Sequence, residues 1–385
     1  MNFELSEDQQ MLADSVRQFA RKESPLTRLR AMRKNELGWE KPMWKRLGEQ
    51  GWLGILYPET LGGFGGTFVD MMLVLEQTGA TLMSEPVLAS AVLGGLPILF
   101  AGSEAQQKRL LQPMIAGDTS LAFAFAEEES RFDIEATALA ATANGERWTL
   151  NGAKRWVPNG QGADVIVVVA RTAGKAGDRD GLALFAVPAN TPGLTVQTVN
   201  GMDSHKYANL TFKGVTVDGA ALLGAAGQAY ATVERVLDYG AAAAAAEGVG
   251  IAQEMLQTTV GYLNTRKQFG VFIGSFQALQ HKAVDMFVET ELVRSMAIEA
   301  AIKVDSADAQ ERKAAVSAAK AQLSIGGKFV SQNALQLHGG IGVTDEADIG
   351  LYFKRMHHLN ILCGDEMWHA ARYAGLPGFT VAARA

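Results

Sequence analysis

The hydrophobic period of this chain changes twice, and few folds accommodate both changes. Apolar residues recur at helical spacing up to Asp118, alternate in short runs from Leu121, and return to helical spacing from Leu223 onward. In the first part, Ser6 and Gln9 form a capping-box pattern ahead of Leu12, Val16, Phe19 and Ala20. Residues 43–50 and 69–78 predict two more helices, and Ser103 with Gln106 caps another that runs toward Met114. The glycine-rich stretch 62–66 has neither a preceding strand nor the Gly-x-Gly-x-x-Gly spacing of a phosphate loop, so it reads as a flexible connector.

In the middle, residues 121–126, 148–150, 155–157, 165–171, 182–187, 194–199, 210–212 and 215–217 are short β-branched or alternating runs, with Asn151-Gly152 as a hairpin turn. No helix-length pattern separates them, which favours a mainly antiparallel barrel or sandwich over a parallel sheet. In the last part, Val249, Ala252, Leu256, Val260 and Leu263 share one helical face, and Ala319, Leu323, Val330, Ala334 and Leu337 share another. Long helices with short links predict an up-and-down four-helix bundle, and the alanines at 241–246 let another helix or a ligand approach closely. The fold class expected is therefore α+β: an N-terminal all-α domain (1–118), a middle β-barrel or sandwich (119–222) and a C-terminal four-helix bundle (223–385).

Composition excludes several function classes. A net charge of −6 over 385 residues and a pI near 5.6 leave no basic face for nucleic acid or an anionic membrane. The alanine run is too short to span a bilayer. A single cysteine, Cys363, rules out an intramolecular disulfide framework and a cysteine-rich metal site, so no metal is expected and a reducing cytoplasm is the default. The start, Met1-Asn-Phe-Glu-Leu-Ser-Glu-Asp, carries no basic leader and no apolar signal core.

One stretch carries candidate chemistry, from Leu263 to Met286. A helix is expected to end on Arg266 and Lys267, with Gly270 as its left-handed stop. Ser275 is expected to cap a second helix whose apolar face is Phe276, Leu279, Ala283 and Met286. Such a corner offers a guanidinium, aromatic rings, backbone amides freed by Gly270 and Gly274, and the Gln277 amide. This set suits a phosphorylated, partly aromatic ligand, the plainer alternative being a helix hairpin with a solvated arginine.

The order Arg266-Lys-Gln-Phe-Gly, then Ile273-Gly, then Phe276-Gln resembles the flavin-gripping signature of the acyl-CoA dehydrogenase family, and Gln336-Leu-His-Gly-Gly-Ile-Gly342 resembles that family's Gln-Leu-His-Gly-Gly-x-Gly segment. The resemblance covers nearly the whole chain and implies the same layout of helices, β domain and bundle. It implies FAD between the β domain and the bundle, with the corner of a neighbouring subunit completing the site, hence a homo- or heterotetramer. Carried over by position, Arg266 contacts the pyrophosphate, Phe269, Phe276 and Gln277 line the adenosine side, Gln336, Gly339 and Gly340 bring backbone close, and Trp156 lies beside the isoalloxazine. Without the resemblance, a strand tryptophan is most often a core aromatic. The resemblance also implies an acyl-CoA substrate and an electron-transfer flavoprotein as electron acceptor.

Departures from the family pattern matter as much. Its Thr-Glu-x-x-x-Gly-Ser-Asp is here Ala126-Glu-Glu-Glu-Ser-Arg-Phe-Asp133, and its threonine two positions after the tryptophan is Pro158, which has no N–H. The family's glutamate base precedes Gly-Thr near the C-terminus, and Cys363-Gly-Asp365 stands there instead. The alternative base position, on the bundle's first long helix, falls at about Gly240. A cysteine is a poor base for a thioester α-proton, so Cys363 is expected as a small buried side chain, and the resemblance implies that its backbone N–H binds the thioester oxygen. Asp365 is expected to cap the last helix, running to Arg372, with a substitute base as its lesser reading. Glu366 and His369 on that helix are expected to be solvated. The Cys-Gly-Asp pattern looks most like the small subunits of two-component acyl-CoA dehydrogenases, such as the pimeloyl-CoA type. The function expected is thus α,β-dehydrogenation of an acyl-CoA in fatty acid metabolism, as the base-deficient member of a pair with a paralogous subunit. Alternatives are a homotetrameric dehydrogenase with Asp365 as relocated base, a flavin oxidase of the same fold, and a non-catalytic structural subunit.

Overall fold

The computed structural model describes residues 5–377, and the reading of the chain's start rests in part on residues 1–4, which lie outside them. The N-terminal part is helical: α1 (Glu7–Glu23), α2 (Leu26–Met32), α3 (Lys41–Glu49), α4 (Phe68–Ala80), α5 (Leu96–Ala101) and α6 (Glu104–Ile115), with a π-helical stretch, Val87–Gly94, leading into α5. The capping boxes at Ser6 and Ser103 form as expected. Trp44, Leu47, Tyr57, Phe68 and Met71 are fully buried between these helices. The glycine-rich connector is pinned, not flexible: amides of Gly63, Phe64, Gly65 and Gly66 donate to carbonyls of Pro58, Gly54, Tyr57 and Ile55. Gly63 is needed there because a Cβ would run into the Tyr57 carbonyl.

The middle part is one sheet of β1 (Leu121–Ala124), β2 (Ala140–Asn144), β3 (Arg147–Pro158), β4 (Val165–Arg171), β5 (Leu182–Pro188), β6 (Leu194–Asn200), β7 (Lys206–Asp218) and β8 (Leu222–Leu223). Its order is β6-β7-β3-β2-β4-β5-β8, with β1 beside β4. Pairings are antiparallel apart from β1–β4 and one contact between β2 and β4, as expected for this domain. Asn151-Gly152 is not a hairpin turn. Residues 147–158 run through as a single strand with a register shift between Leu150 and Gly152, and Gly152 takes φ +143° there. The turn lies earlier, at Gly145-Glu146, because β2, whose residues 142–144 face solvent, has no alternating apolar signal to announce it. Likewise 210–212 and 215–217 belong to one long β7.

The C-terminal part holds α7 (Tyr230–Thr265), the short strands β9 (Lys267–Gln268) and β10 (Val271–Phe272), then α8 (Gln277–Lys303), α9 (Ala309–Gln322), α10 (Lys328–His338), α11 (Ile349–Ile361) and α12 (Glu366–Ala374). A π-helical stretch, Leu323–Gly327, joins α9 to α10 in one rod. Ala241–Ala246 are all buried inside α7. The closest crossing with α4 follows just beyond them, where Gly250 lies against the Glu76 carbonyl. The β domain and bundle are tied by Arg355 of α11, which donates to Glu247 of α7 at 2.6 and 3.0 Å and to Asp203 of the β6–β7 turn at 2.8 Å, all three buried. No described helix is long and apolar enough to cross a membrane.

Candidate functional site

The stretch expected to be a corner of two helices contains a small hairpin. α7 stops at Thr265 and Arg266 leaves it with extended backbone, after which β9 and β10 pair antiparallel across Phe269-Gly270. Both turn residues have positive φ, +53° and +82°, the geometry that a type I′ two-residue hairpin requires. Gly270 therefore shapes the hairpin, not the helix end. Ser275 is not the cap either: α8 starts after Phe276, and the Ser275 hydroxyl donates to the Phe272 carbonyl at 2.7 Å.

Arg266, Gln336, Gly339 and Gly340 line one groove of about 580 Å³, together with Tyr262 and Lys282. Arg266 has no acidic partner among the described residues. A Cβ built on Gly339 or Gly340 meets nothing within 4 Å, so backbone there is open to a close ligand. Phe269 is 91% exposed and meets Phe276 edge to face at 6.2 Å, while Gln277 is exposed beside them. A guanidinium with no acidic partner among the described residues, open backbone and exposed rings fit the adenosine diphosphate half of FAD.

The β-domain side is built on β3. Trp156 is not a core aromatic: it is 58% exposed, with φ +52° at a second register shift, between Lys154 and Val157. Pro158 pairs with Tyr207 on β7. The loop 126–133 is anchored by Glu127, whose carboxylate accepts the amides of Ala138 and Leu139 and the buried Lys154 ammonium at 2.8 Å. Burial pulls the Lys154 pKa down to about 8 against the pull of Glu127. The far end of this loop docks on α12: Arg131 reaches Asp365 at 3.5 Å, and Trp368 Nε1 donates to Asp133 at 3.2 Å.

The third component is the turn between α11 and α12. Cys363 is 5% exposed, in left-handed backbone at φ +57°, and burial pushes its thiol up to about 12. A Cβ built on Gly240 would lie 2.7 Å from Cys363 Sγ and 2.5 Å from Leu93. The two candidate base positions are thus one place in space, and it holds no carboxylate. The backbone N–H of Cys363 makes no hydrogen bond among the described residues, although a buried donor left unpaired is costly. Asp365 caps α12 by accepting the Trp368 amide at 2.9 Å. His369 is not solvated as expected but buried, its Nε2 3.0 Å from the Cys363 carbonyl. Glu366 is half-buried. Burial, with Lys320 and Arg372 nearby, drives the His369 pKa down to about 2, so the ring is neutral. Lys320, which the sequence reading passed over, donates to the carbonyls of Asn360 and Gly364 at 2.9 Å each. Its signal was available: it stands on the apolar stripe of Val316, Ala319 and Leu323, where a lysine is out of place.

Seven described non-glycine residues have positive φ, and Arg131, Trp156, Phe269 and Cys363 are among them. Such strain persists where surrounding structure over-determines it, commonly at functional sites. Here it falls on each of the three components.

Comparison with known proteins agrees along the whole chain. It matches the families described as acyl-CoA dehydrogenase N-terminal domain over residues 6–118, middle domain over 122–215 and C-terminal domain over 227–373. The "Probable acyl-CoA dehydrogenase YngJ" of Bacillus subtilis (strain 168) is 34% identical over 354 residues, covering 90% of this chain and 91% of YngJ. Butyryl-CoA dehydrogenase from Megasphaera elsdenii superposes with a TM-score of 0.90 at 27% identity, covering 97% of this chain and 99% of that one. A chain of the ChsE4-ChsE5 complex from Mycobacterium tuberculosis superposes with a TM-score of 0.87 at 26% identity, covering 97% of each. The chain belongs to the acyl-CoA dehydrogenase family of FAD-dependent oxidoreductases.

Proposed function

We propose that this chain is the base-deficient subunit of a heteromeric acyl-CoA dehydrogenase that introduces an α,β double bond into an acyl-CoA thioester. The observation that carries this reading is the contact of Cys363 with Gly240: the two places where a base would stand coincide, and neither supplies a carboxylate. The acids nearby are engaged elsewhere. Asp238 is held by Arg312 at 3.0 Å and Arg372 at 2.6 Å, Asp365 by its cap and Arg131, and Glu247 by Arg355. A thioester α-proton needs a positioned base, and among the described residues no free carboxylate stands beside Cys363.

What the chain keeps is binding and orientation. Arg266 would hold the cofactor's pyrophosphate, the Gly339-Gly340 backbone would let it come close, and the exposed Trp156 ring would serve its flavin end. When bound, FAD supplies the acceptor for the hydride that leaves the β-carbon. The unpaired Cys363 N–H donates to the thioester oxygen, where negative charge grows as the α-proton departs. A paralogous subunit with its glutamate in place supplies the base at its own site, an arrangement consistent with the likeness to a chain of a two-protein complex. An electron-transfer flavoprotein takes the electrons onward, and the pair works in the cytoplasm.

Stopped-flow absorbance of the FAD-loaded chain, mixed with a panel of saturated acyl-CoA thioesters, tests this. Slow reduction that accelerates when a glutamate-bearing paralogue is co-assembled is the expected result. Rapid reduction by the chain alone, abolished by Asp365→Asn, overturns the proposal in favour of a relocated base.

A further inference from the structure

The turn that carries Cys363 is held from outside by side chains that the dehydrogenation reading does not use. Between Asn360 and Gly364, three carbonyls are gripped. Lys320 Nζ donates to Asn360 O and Gly364 O at 2.9 Å each, Ser324 adds a bond to Asn360 O at 3.2 Å, and His369 Nε2 meets Cys363 O at 3.0 Å. A carbonyl only accepts, so His369 carries its hydrogen on Nε2, and Nδ1 takes the hydroxyl hydrogen of Ser317 at 3.3 Å. Arg372 donates to that same Ser317 oxygen and to Asp238, which Arg312 also holds, so the chain of contacts ends on a buried ion pair.

The effect on the backbone is specific. Cys363 sits at φ +57°, a strained conformation for a residue with a side chain, and Gly364 follows at φ +118°, which glycine adopts freely. Of the peptide planes flanking the Leu362–Cys363 bond, one is fixed by His369 at the Cys363 carbonyl and the other by the Gly364 amide, which donates to the Ile361 carbonyl at 3.3 Å, and the one donor left without an acceptor is the Cys363 N–H. We infer that Lys320 and His369 are positioning residues that hold the Cys363 N–H as a fixed donor to the thioester oxygen of the bound substrate. This rests on the reading that the thioester lies at Cys363. Burial brings the Lys320 pKa down to about 7, and amine and ammonium alike have hydrogens enough for the two carbonyls it meets.

Acetoacetyl-CoA is the probe, because a hydrogen bond to its thioester oxygen favours the enolate, which has its own ultraviolet band and needs no hydride transfer. The FAD-loaded protein is titrated with it as a function of pH. Wild type is expected to lower the apparent pKa of the bound probe, and Lys320→Met to raise it again by about one unit, a tenfold loss of enolate at fixed pH. His369→Leu is expected to act in the same direction, and His369→Gln, which keeps an N–H, to restore most of the band. These variants are compared at matched flavin content and far-ultraviolet dichroism. If Lys320→Met does not fold, the Leu and Gln variants of His369 decide alone. A wild-type band that neither Lys320→Met nor His369→Leu alters overturns the positioning role. No enolate band with wild type overturns the thioester reading itself, and this inference with it.

Discussion

On the proposed function Cys363 stands where a base is expected, and its surroundings set what a base there would meet. Its sulfur packs on Gly240, so a longer side chain must turn away from that helix. Cys363→Glu is expected to accelerate flavin reduction by a matching acyl-CoA, within the roughly 10²- to 10⁴-fold span of general-base catalysis. The gain should be incomplete, because Pro158 still offers no hydrogen to the flavin edge. A stopped-flow trace of flavin absorbance checks it, and an unchanged rate would remove Cys363 from the substrate's path. Arg266 makes the complementary case. Unpaired in the chain, it is free to make a charge-assisted bond to a pyrophosphate worth about 1.5–3 kcal/mol, so Arg266→Ala should weaken FAD binding at least tenfold in equilibrium dialysis. Both residues stand out in the sequence by spacing and motif. Lys320 shows there only as a lysine on an apolar stripe and His369 only as a residue of the last helix, because the carbonyl each one meets is set by the fold.

At the scale of elements, the sequence spoke most clearly where periodicity is strong and least clearly where a turn decides. The long helices and β4 fall where the apolar pattern puts them, since each buries a continuous face. The corner after α7 did not, because Gly270 signals a helix stop and a type I′ turn alike. Asn151-Gly152 misled for the same reason, as a bulge and a hairpin both favour glycine. The hairpin now makes its own prediction. Gly270 has φ +82° with open space where a Cβ would be, so Gly270→Ala costs backbone strain of about 1–2 kcal/mol without a clash. Hydrogen exchange at residues 267–272 should quicken and FAD retention should fall, while the thermal midpoint of the bundle stays put. Phe269→Asn, by contrast, relieves strain at the other turn position and should slow exchange there, yet still lose FAD if the ring lies on the adenosine.

The whole molecule is fastened at one buried charge cluster and left open at another surface. Burial works against the Asp203 carboxylate, yet His205, His358, Arg355 and the Tyr207 hydroxyl together hold it well below the usual range. A depressed carboxylate stabilises the fold above its ordinary pKa and loses that contribution as pH falls through it. Unfolding midpoints should therefore drop below about pH 4. Arg355→Leu strips Glu247 of its partner and removes one of the groups that hold Asp203, and should cost about 3–5 kcal/mol at neutral pH, while the acid sensitivity of Asp203 is reduced but kept, since His205, His358 and the Tyr207 hydroxyl remain beside it. On the open surface, Val284, Phe287, Val288 and Leu292 stand exposed along α8, and Phe269 and Phe272 on the adjoining hairpin. A surface this apolar ordinarily marks an interface. The Arg266 groove beside it is lined by bundle residues alone, whereas Trp156 belongs to the β domain. If one cofactor uses both kinds of contact, it is expected to need a second chain over α8. FAD occupancy should then follow assembly: serial dilution monitored by light scattering and flavin absorbance should release flavin as the even-numbered oligomer dissociates, and Phe287→Glu should give a colourless monomer of native helicity. A monomer that stays fully yellow would place both halves of the site within one chain.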